Sequence, residues 1–537
     1  MTFLPIVERE LRVAARRRGT YWGRFTAALI GSGLAAWLLA VMRNEPPAEV
    51  GGALFATLAA LIFVYTAAVG IGVTFDSLSE EKREGTLGLL FLTDLKGYDV
   101  VVGKLAATSF NAFYGMLAVL PVLAIPFLMG SVTHAEFGRI ALVAVNLLFF
   151  LLSIGILASS LCRSDSKALA LAILLATIIL GAAPLYVAWR SNTNPNYDFS
   201  LALVPCPAFG CFLAFDDLYK QGAGASCFVL NTLVTQLYAW TFLLLACWWT
   251  PRSWQDASVN QNPGFGRRQW RWLRDGSPAR REAARRRLLD INAFLWRAAP
   301  NASGSLPLLL VLTGAALLWI GLCRICQVDL SDTDVIIALL FSLNLILKIG
   351  LSRAASRPLC EDRRSGALEL VLTTPLGARE IVRGQRLALL RQFGPPAMTL
   401  FGANFVCLWM GWRNAHDHTF LFWEHLMLNV FLLADLYALS WTGMWFGLRA
   451  AKPNRPAVMS IFFILAPPLL AWAVCATIYV LFFESSHPGF GWKLSFTVIG
   501  LTGLAIDLLM SVSCRFKLRK NFRRTVAEGK LPARGVP

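Results

Sequence analysis

Charge is scarce in this chain. Only 15% of its 537 residues are Asp, Glu, Lys or Arg, and only five are histidine. Acid is the rarer sign, 32 residues against 50 basic ones, which leaves a formal net charge of +18. Combined with 56% hydrophobic residues and a mean hydropathy of +0.57, this composition is that of an integral membrane protein rather than a soluble domain. Catalytic patterns are missing as well: no nucleophile elbow and no zincin helix is present. A phosphate-wrapping loop needs Gly-x4-Gly-Lys-Ser/Thr so that backbone amides surround the phosphates. Here five positions rather than four separate Gly97 from Gly103-Lys104, and Leu105 follows instead of a hydroxyl residue, so that chemistry is excluded. The positive charge has no basic soluble domain to sit on, which excludes a nucleic-acid reading. The N-terminal segment up to Arg24 is basic and amphipathic. It has no small-residue cleavage site behind an apolar core, so no cleavable signal peptide is expected. Leu4, Val7 and Leu11 recur at helical spacing opposite the arginines, as in a helix lying in the membrane interface.

What is present is a series of membrane-length apolar runs. Six lie near 25–42, 51–75, 105–130, 138–162, 167–189 and 227–250. Six more lie near 304–326, 332–352, 387–411, 419–448, 457–484 and 492–512. Each is long enough to cross about 30 Å of hydrocarbon as a helix. The expected fold class is therefore all-α, a polytopic transmembrane helical bundle of about twelve spans. Basic residues crowd the N-terminus, the turns Arg163–Lys167 and Arg449–Arg455, the 251–303 connector and the tail Arg515–Arg524, while the alternate loops are poor in Lys and Arg. This is the positive-inside pattern, with both termini cytoplasmic.

The stretch 80–104 occurs a second time at 361–385. Glu80-Glu81-Lys82-Arg83-Glu84-Gly85-Thr86-Leu87 aligns with Glu361-Asp362-Arg363-Arg364-Ser365-Gly366-Ala367-Leu368. The alignment continues without a gap through Thr93/Thr374 and Leu95/Leu376 to Gly103/Gly384 and Lys104/Gln385. Nine of the aligned pairs are identical. A period as long as the step from Gly85 to Gly366 marks a duplicated half rather than a solenoid unit. The expected organisation is a first six-span unit at 1–250, an Arg/Trp-rich cytoplasmic connector at 251–286 and a second unit at 287–537 with its basic tail. With six spans each, the halves are expected to be parallel repeats about an axis along the membrane normal, a pair able to enclose a pathway. Between them, residues 251–303 hold eleven arginines and no lysine; Ala279–Leu289 reads as a short basic helix, either an anionic-lipid or partner contact or a plain tether.

In the repeat, Glu-x4-Gly-Thr-Leu-x-Leu-Leu, Thr-x-Leu and Gly-Lys resemble the cytoplasmic signature of permease subunits of ABC type-2 exporters. The second copy resembles it more closely, with Glu369 and Pro375 in pattern where the first copy has Gly88 and Asp94. Ile6–Arg12 and Asn292–Arg297 resemble the amphipathic lead-in of such permeases. The resemblance implies a coupling helix made by Glu80, Glu81, Arg83, Gly85, Thr93 and Gly103 in one half. The other half contributes Glu361, Asp362, Arg364, Gly366, Glu369, Thr374, Pro375 and Gly384. It further implies that no cofactor is bound by this chain and that ATP-Mg sits on partner ABC ATPase subunits. A second permease and membrane lipids complete the expected partners, in a bacterial inner (plasma) membrane. On the residues alone, the glycine permits a break and the following Leu-x-Leu-Leu run permits a short helix packed back on the bundle; an interfacial loop obeying the positive-inside rule is the plainer alternative.

Polar residues inside the apolar runs are the other candidates, since each costs a few kcal/mol at mid-bilayer unless paired. Arg391 and Asp435 are the expected intramembrane pair, with a lumen-facing or a snorkelling Arg391 as alternatives. Lys348 and Asp507 are read as near enough to the membrane edge to snorkel. Asn111, Asn146, Asn231, Gln236 and Asn344 are read as interhelical hydrogen-bonding groups. His416, His418 and His425, beside Asp417 and Glu424, match no metal motif, so no metal site is assigned. The cysteines are read mostly as small hydrophobes in apolar runs; Cys206 and Cys211, which share a long outer loop, could pair if that space is oxidising. Residues 190–226 are expected to re-enter the membrane face or cap the exit. The expected function is the membrane-spanning permease of an ABC-type exporter, not an enzyme in itself. A twelve-span ion-coupled transporter and a non-transporting scaffold are the alternatives, and the substrate is not legible.

Overall fold

The computed structural model describes residues 18–43, 45–92, 96–191, 200–253, 278–298, 305–325, 333–414, 418–450, 455–482 and 491–528. Thr93, the first lead-in, most of the connector, His416 and Asp417 lie outside them, as do the side chains of Asn111, His418, Glu424 and His425. Among the described residues the chain is helical, with no strand. It divides into two compact units, Met1–Asn260 and Gln261–Pro537. Nine helices among the described residues are long and apolar enough to cross a membrane, and two shorter apolar helices, Ala27–Val41 and Leu308–Cys323, accompany them. The protein is thus an integral, multi-pass membrane protein built as an all-α bundle.

The first unit holds six long helices: α1 (Arg18–Val41), α2 (Pro47–Thr74), α5 (Gly97–Leu123), α6 (His134–Leu161), α7 (Asp165–Ser191) and α8 (Gly224–Trp249). Two short ones, α3 (Ser77–Glu84) and α4 (Thr86–Phe91), lie between α2 and α5. The hub is α6, whose apolar stretch is 78% buried against 17% for the neighbouring α7. Buried residues occupy every face of α6 from Leu147 to Ala158, so no side of it needs to meet lipid. It begins cleanly because Thr133 Oγ1 accepts from the Glu136 amide at 3.2 Å, a side-chain N-cap. Glycines bring it close to α2. A Cβ on Gly70 would stand 2.7 Å from Leu151 Cβ, and Thr74 Oγ1 donates to the Leu152 carbonyl at 3.1 Å. Small residues at such crossings let backbones approach, which is how helices associate where lipid offers no hydrophobic drive.

The second unit begins with α9 (Pro278–Ile291) and α10 (Ala293–Ala298). Its long helices are α11 (Leu306–Ile325), α12 (Thr333–Arg364), α14 (Ala378–Asn414), α15 (His418–Arg449), α16 (Arg455–Phe482) and α17 (Gly491–Glu528), with short α13 (Ala367–Leu372) after α12. The close pair here is α12 with α15: a Cβ on Gly443 would stand 2.7 Å from Ala355 Cβ, and one on Gly447 would stand 2.2 Å from the Ser356 carbonyl oxygen. The first half of α14 carries Arg379, Glu380, Arg383, Arg386 and Arg391, which keeps it below the hydropathy of the other spans. The helix α17 runs well past the expected span end near 512. Cys514, Leu518, Phe522 and Val526 are buried at a spacing of four, so the basic tail is a helix packed back on its own unit.

The outer segment of the first unit is folded into short helical turns held by side chains of α6 and α8. Asn231 Nδ2 donates to the Val204 and Cys206 carbonyls at 2.7 and 2.9 Å, so it pins the loop rather than a neighbouring span. Arg139 Nε donates to the Ala214 carbonyl at 3.0 Å and its Nη2 pairs with Asp216. Asp216 also takes Lys220 at 2.6 Å, and its amide donates to Glu136 Oε1 at 3.0 Å. The hydrogen bond from Lys220, then that from Arg139, holds the Asp216 carboxyl below its ordinary pKa despite some desolvation. A depressed folded pKa gives stability that is full above the unfolded value of about 3.9 and is lost as pH falls through the folded one. Acidification below pH about 4 is therefore expected to loosen residues 209–219, and Asp216→Asn to loosen them already at neutral pH, by about 1 kcal/mol after solvent screening. Hydrogen exchange of this segment against pH reads the effect; an unchanged profile in the variant would refute it. Cys206 and Cys211 are both buried free thiols, and Cys206 Sγ donates to the Leu180 carbonyl at 3.1 Å, so the outer-loop disulfide is not formed.

Candidate functional site

The duplicated stretch folds twice into the same object. In the first unit α3 ends at Gly85, at φ 74° and ψ 2°, and α4 follows. In the second, α12 ends just before Gly366, at φ 74° and ψ 0°, and α13 follows. This left-handed conformation favours glycine because a Cβ would clash with the following carbonyl. The glycine reverses the chain sharply after a charged helix end, which is the C-cap use of glycine. Two residues on, Leu87 and Leu368 are buried at 1% and 0% exposure. Two further on, Leu89 and Leu370 stand 64% and 71% exposed. Each elbow therefore anchors on one leucine and presents another.

The rest of the frame repeats too. Three residues before each glycine, a base clamps the end of the unit's fourth long helix. Lys82 Nζ donates to the Ser160 carbonyl, near the end of α6, and Arg363 Nη1 to the Leu448 carbonyl at 2.7 Å, near the end of α15. After each elbow, an acid caps the next helix. The Lys96 amide donates to Asp99 Oδ2 at 3.0 Å, and the Gly377 amide to Glu380 Oε2 at 2.9 Å. Lys96 and Gly377 occupy equivalent positions in the two copies, as do Asp99 and Glu380. These four residues were legible in the repeat but were not among the expected site residues.

The acidic residues of the elbows have partners within their own unit. Glu81 pairs with Lys104 of α5 at 2.7 Å and accepts from Thr86. Asp362 pairs with Arg297 of α10 at 2.7 Å, and Glu361 with Arg357 at 2.6 Å. Arg83 pairs with Asp76 at 2.9 Å. Glu80, Arg364 and Glu369 are also engaged. Thr374 Oγ1 donates to the Val371 carbonyl at 2.6 Å, and exposed Pro375 follows. Gly103 is buried on α5. Gly384 lets α10 lie directly on α14, since a Cβ there would stand 3.0 Å from Phe294 Cβ. The second lead-in is thus docked: Asn292 Oδ1 accepts from the Phe294 amide at 2.8 Å, and its Nδ2 donates to the Glu380 carbonyl at 3.1 Å.

A second constellation lies inside the second unit. Asp435 on α15 pairs with Lys348 on α12 at 2.5 Å. This corrects the expected Arg391–Asp435 pair: Arg391 stands on α14 within electrostatic reach of Arg287 on α9. Asp507 on α17 lies within electrostatic reach of both Asp435 and Lys348. At 9%, 6% and 4% exposure for Lys348, Asp435 and Asp507, none of the three snorkels to water, which corrects the expectation for Lys348 and Asp507. One turn before Lys348, Asn344 is 2% exposed and neither atom of its amide has a hydrogen-bond partner. Asn146 behaves as expected, its Nδ2 donating across to the Thr232 carbonyl at 3.2 Å. Among the described residues no group of three His, Cys, Asp or Glu could hold a metal ion.

A bundle of membrane-crossing helices carrying the same charged elbow twice defines a polytopic membrane component. Residues 19–206 match the family described as ABC-2 family transporter protein. The match takes in α1 to α7 with the first elbow and stops in the outer segment before α8. Over those residues the first unit is similar to ABC-2 family transporter proteins. The matched residues include the first copy of the repeat, although the motif resemblance is stronger on the second. No curated protein matches the chain at a significant level.

Proposed function

We propose that the chain is the permease of an ABC exporter with two ABC-2 units fused in one polypeptide, without an ATPase domain of its own. Separate ATP-hydrolysing subunits dock on the two elbows at the cytoplasmic, basic face of an inner (plasma) membrane. Their motion passes through the glycine-capped joints to the long helices on either side. The observation that carries this reading is the same elbow built twice: glycine at φ 74°, a buried leucine, then an exposed one. An interfacial loop obeying the positive-inside rule has no need of an exposed leucine at the same place in both copies.

The internal ion pairs decide how to test it. Reversing the charge of Glu81 or Asp362 would break contacts to Lys104 or Arg297 and disturb the elbow itself. Leu89→Asp with Leu370→Asp alters the presented face and leaves those pairs intact. Tagged protein from its native cells is expected to co-purify a Walker-motif ATPase, and the double variant to lose it by about tenfold or more, as for a hot-spot residue worth about 1.4–2 kcal/mol. Undiminished capture by a monodisperse variant would overturn elbow docking, and absence of any ATPase from the wild-type preparation would overturn the exporter reading. The buried Lys348–Asp435–Asp507 set favours ion-coupled transport as the second reading. In that case, transport by the purified chain in vesicles would follow an ion gradient without ATP.

A further inference from the structure

The basic end of the second unit contains a cavity of about 320 Å³ whose lining is rich in arginine. Arg379, Arg383 and Arg386 of α14 and Arg519 of α17 surround it, with Trp441 of α15 and Leu518. Among the described residues no acid lines it. Glu380, the nearest acid in sequence, has its Oε2 on the Gly377 amide. Trp441 is only 3% exposed, yet its indole Nε1–H has no hydrogen-bond partner. Two cations already stack on that ring, Arg386 at 4.5 Å and Arg515 at 5.7 Å from its centroid. Four arginines and no described acid line this space. Such a set is complementary to a phosphate group, whose oxygens accept from several N–H donors at once.

Arg386 also closes one end of a second, larger hollow of about 490 Å³ between α14 and α15. Leu390, Phe393, Met398 and Leu433 dominate its walls, and again no described acid lines it. Met398 and Leu390 are 72% and 60% exposed, as suits a groove on the outside of a span rather than a packed core. A charged pocket and an apolar groove joined at one arginine match an amphiphile with an anionic head and a hydrocarbon tail. Free phosphate would fill the first and leave the second empty.

We infer that this unit binds an anionic phospholipid, its phosphate held by Arg379, Arg383, Arg386 and Arg519, with an acyl chain along α14 and α15. The arginines supply attraction for the head, and the groove supplies apolar burial for the tail. This site is separate from the elbow and from the basic helix α9, and it holds whether or not an ATPase docks elsewhere.

The test is native mass spectrometry of the full chain, stripped of lipid in neutral detergent and titrated with phosphatidylglycerol. A bound lipid is expected. Arg383→Ala/Arg386→Ala/Arg519→Ala should weaken it roughly a hundredfold. Ala397→Phe, which fills the groove and keeps every arginine, should weaken phosphatidylglycerol but leave glycerol phosphate unaffected, and so serves where the triple variant fails to fold. Equal binding of phosphatidylcholine would remove the anionic selectivity. Equal binding of glycerol phosphate would reduce the site to a phosphate pocket. Either result, or wild-type affinity in both variants, overturns the proposal.

Discussion

Changing Asp435 to Ala is expected to destabilise the second unit by about 3 kcal/mol, the lower end of the roughly 3–5 kcal/mol typical when one partner of a buried ion pair is removed. The change strands the Lys348 ammonium among packed helices, where water does not reach it. Asp507 stands close enough to take part of that charge, which is why the lower end applies. Replacing both partners, Lys348→Met with Asp435→Leu, removes the buried charges instead of orphaning one. Most of the lost stability should then return, since paired buried charges are often neutral relative to apolar groups of similar volume. Thermal unfolding of the full chain in mild detergent reads both. A drop of roughly 6–12 °C is expected for Asp435→Ala and a much smaller one for the double variant. Equal losses in the two would mean that packing, not charge, holds this site.

The second large effect concerns the crossing of α12 and α15. Gly447→Val places a branched side chain where even a Cβ would meet the Ser356 carbonyl oxygen at 2.2 Å and its carbonyl carbon at 2.8 Å. Those are backbone atoms of a helix, so no rotamer change relieves the contact and the two helices must part. Overpacking of this kind costs about 1–3 kcal/mol. The separation acts on the elbow as well, because Leu448, the next residue, accepts the Arg363 bond that holds the end of α12. The variant is therefore expected both to melt earlier and to expose amides 361–372 to hydrogen exchange. Gly402→Ala is the control, since a Cβ there meets nothing within 4 Å. If Gly447→Val matched the control in both readouts, the close crossing would not be what fixes the elbow.

Much of this architecture is visible in the chain before it folds. Hydropathy marks each long helix, and the duplicated Glu-x4-Gly marks both elbows, because only glycine enters a left-handed turn without strain. Even the helix caps at Asp99 and Glu380 are present at the repeat offset for a reader who follows it far enough. What escaped is who meets whom across the bundle. Asn344, Lys348, Ser352 and Ser356 fall every fourth residue on α12 and so form one polar stripe, a signal present in the sequence. Its partner on α15 is set by helix order, which a single sequence does not encode locally. Arg391 and Asp435 look complementary by depth alone, yet charge and depth do not say which helices touch. The tail is hidden for a different reason: its arginines mask the buried series Leu518, Phe522 and Val526, whose spacing of four speaks for a packed helix. The outer loop is opaque because Asn231 and Arg139 act there through backbone carbonyls, which carry no residue signature.

The Lys348–Asp435 pair also sets a timetable. Translation delivers Lys348 first and its carboxylate partner about 87 residues later, or roughly 4–17 s at about 5–20 residues per second. Through that interval α12 carries an unmatched ammonium, a penalty below the roughly 2.5–3.5 kcal/mol of a charge at the bilayer centre. α12 therefore reaches its final packing only after α15 is made, and the ion pair closes as a late step in assembly of the second unit.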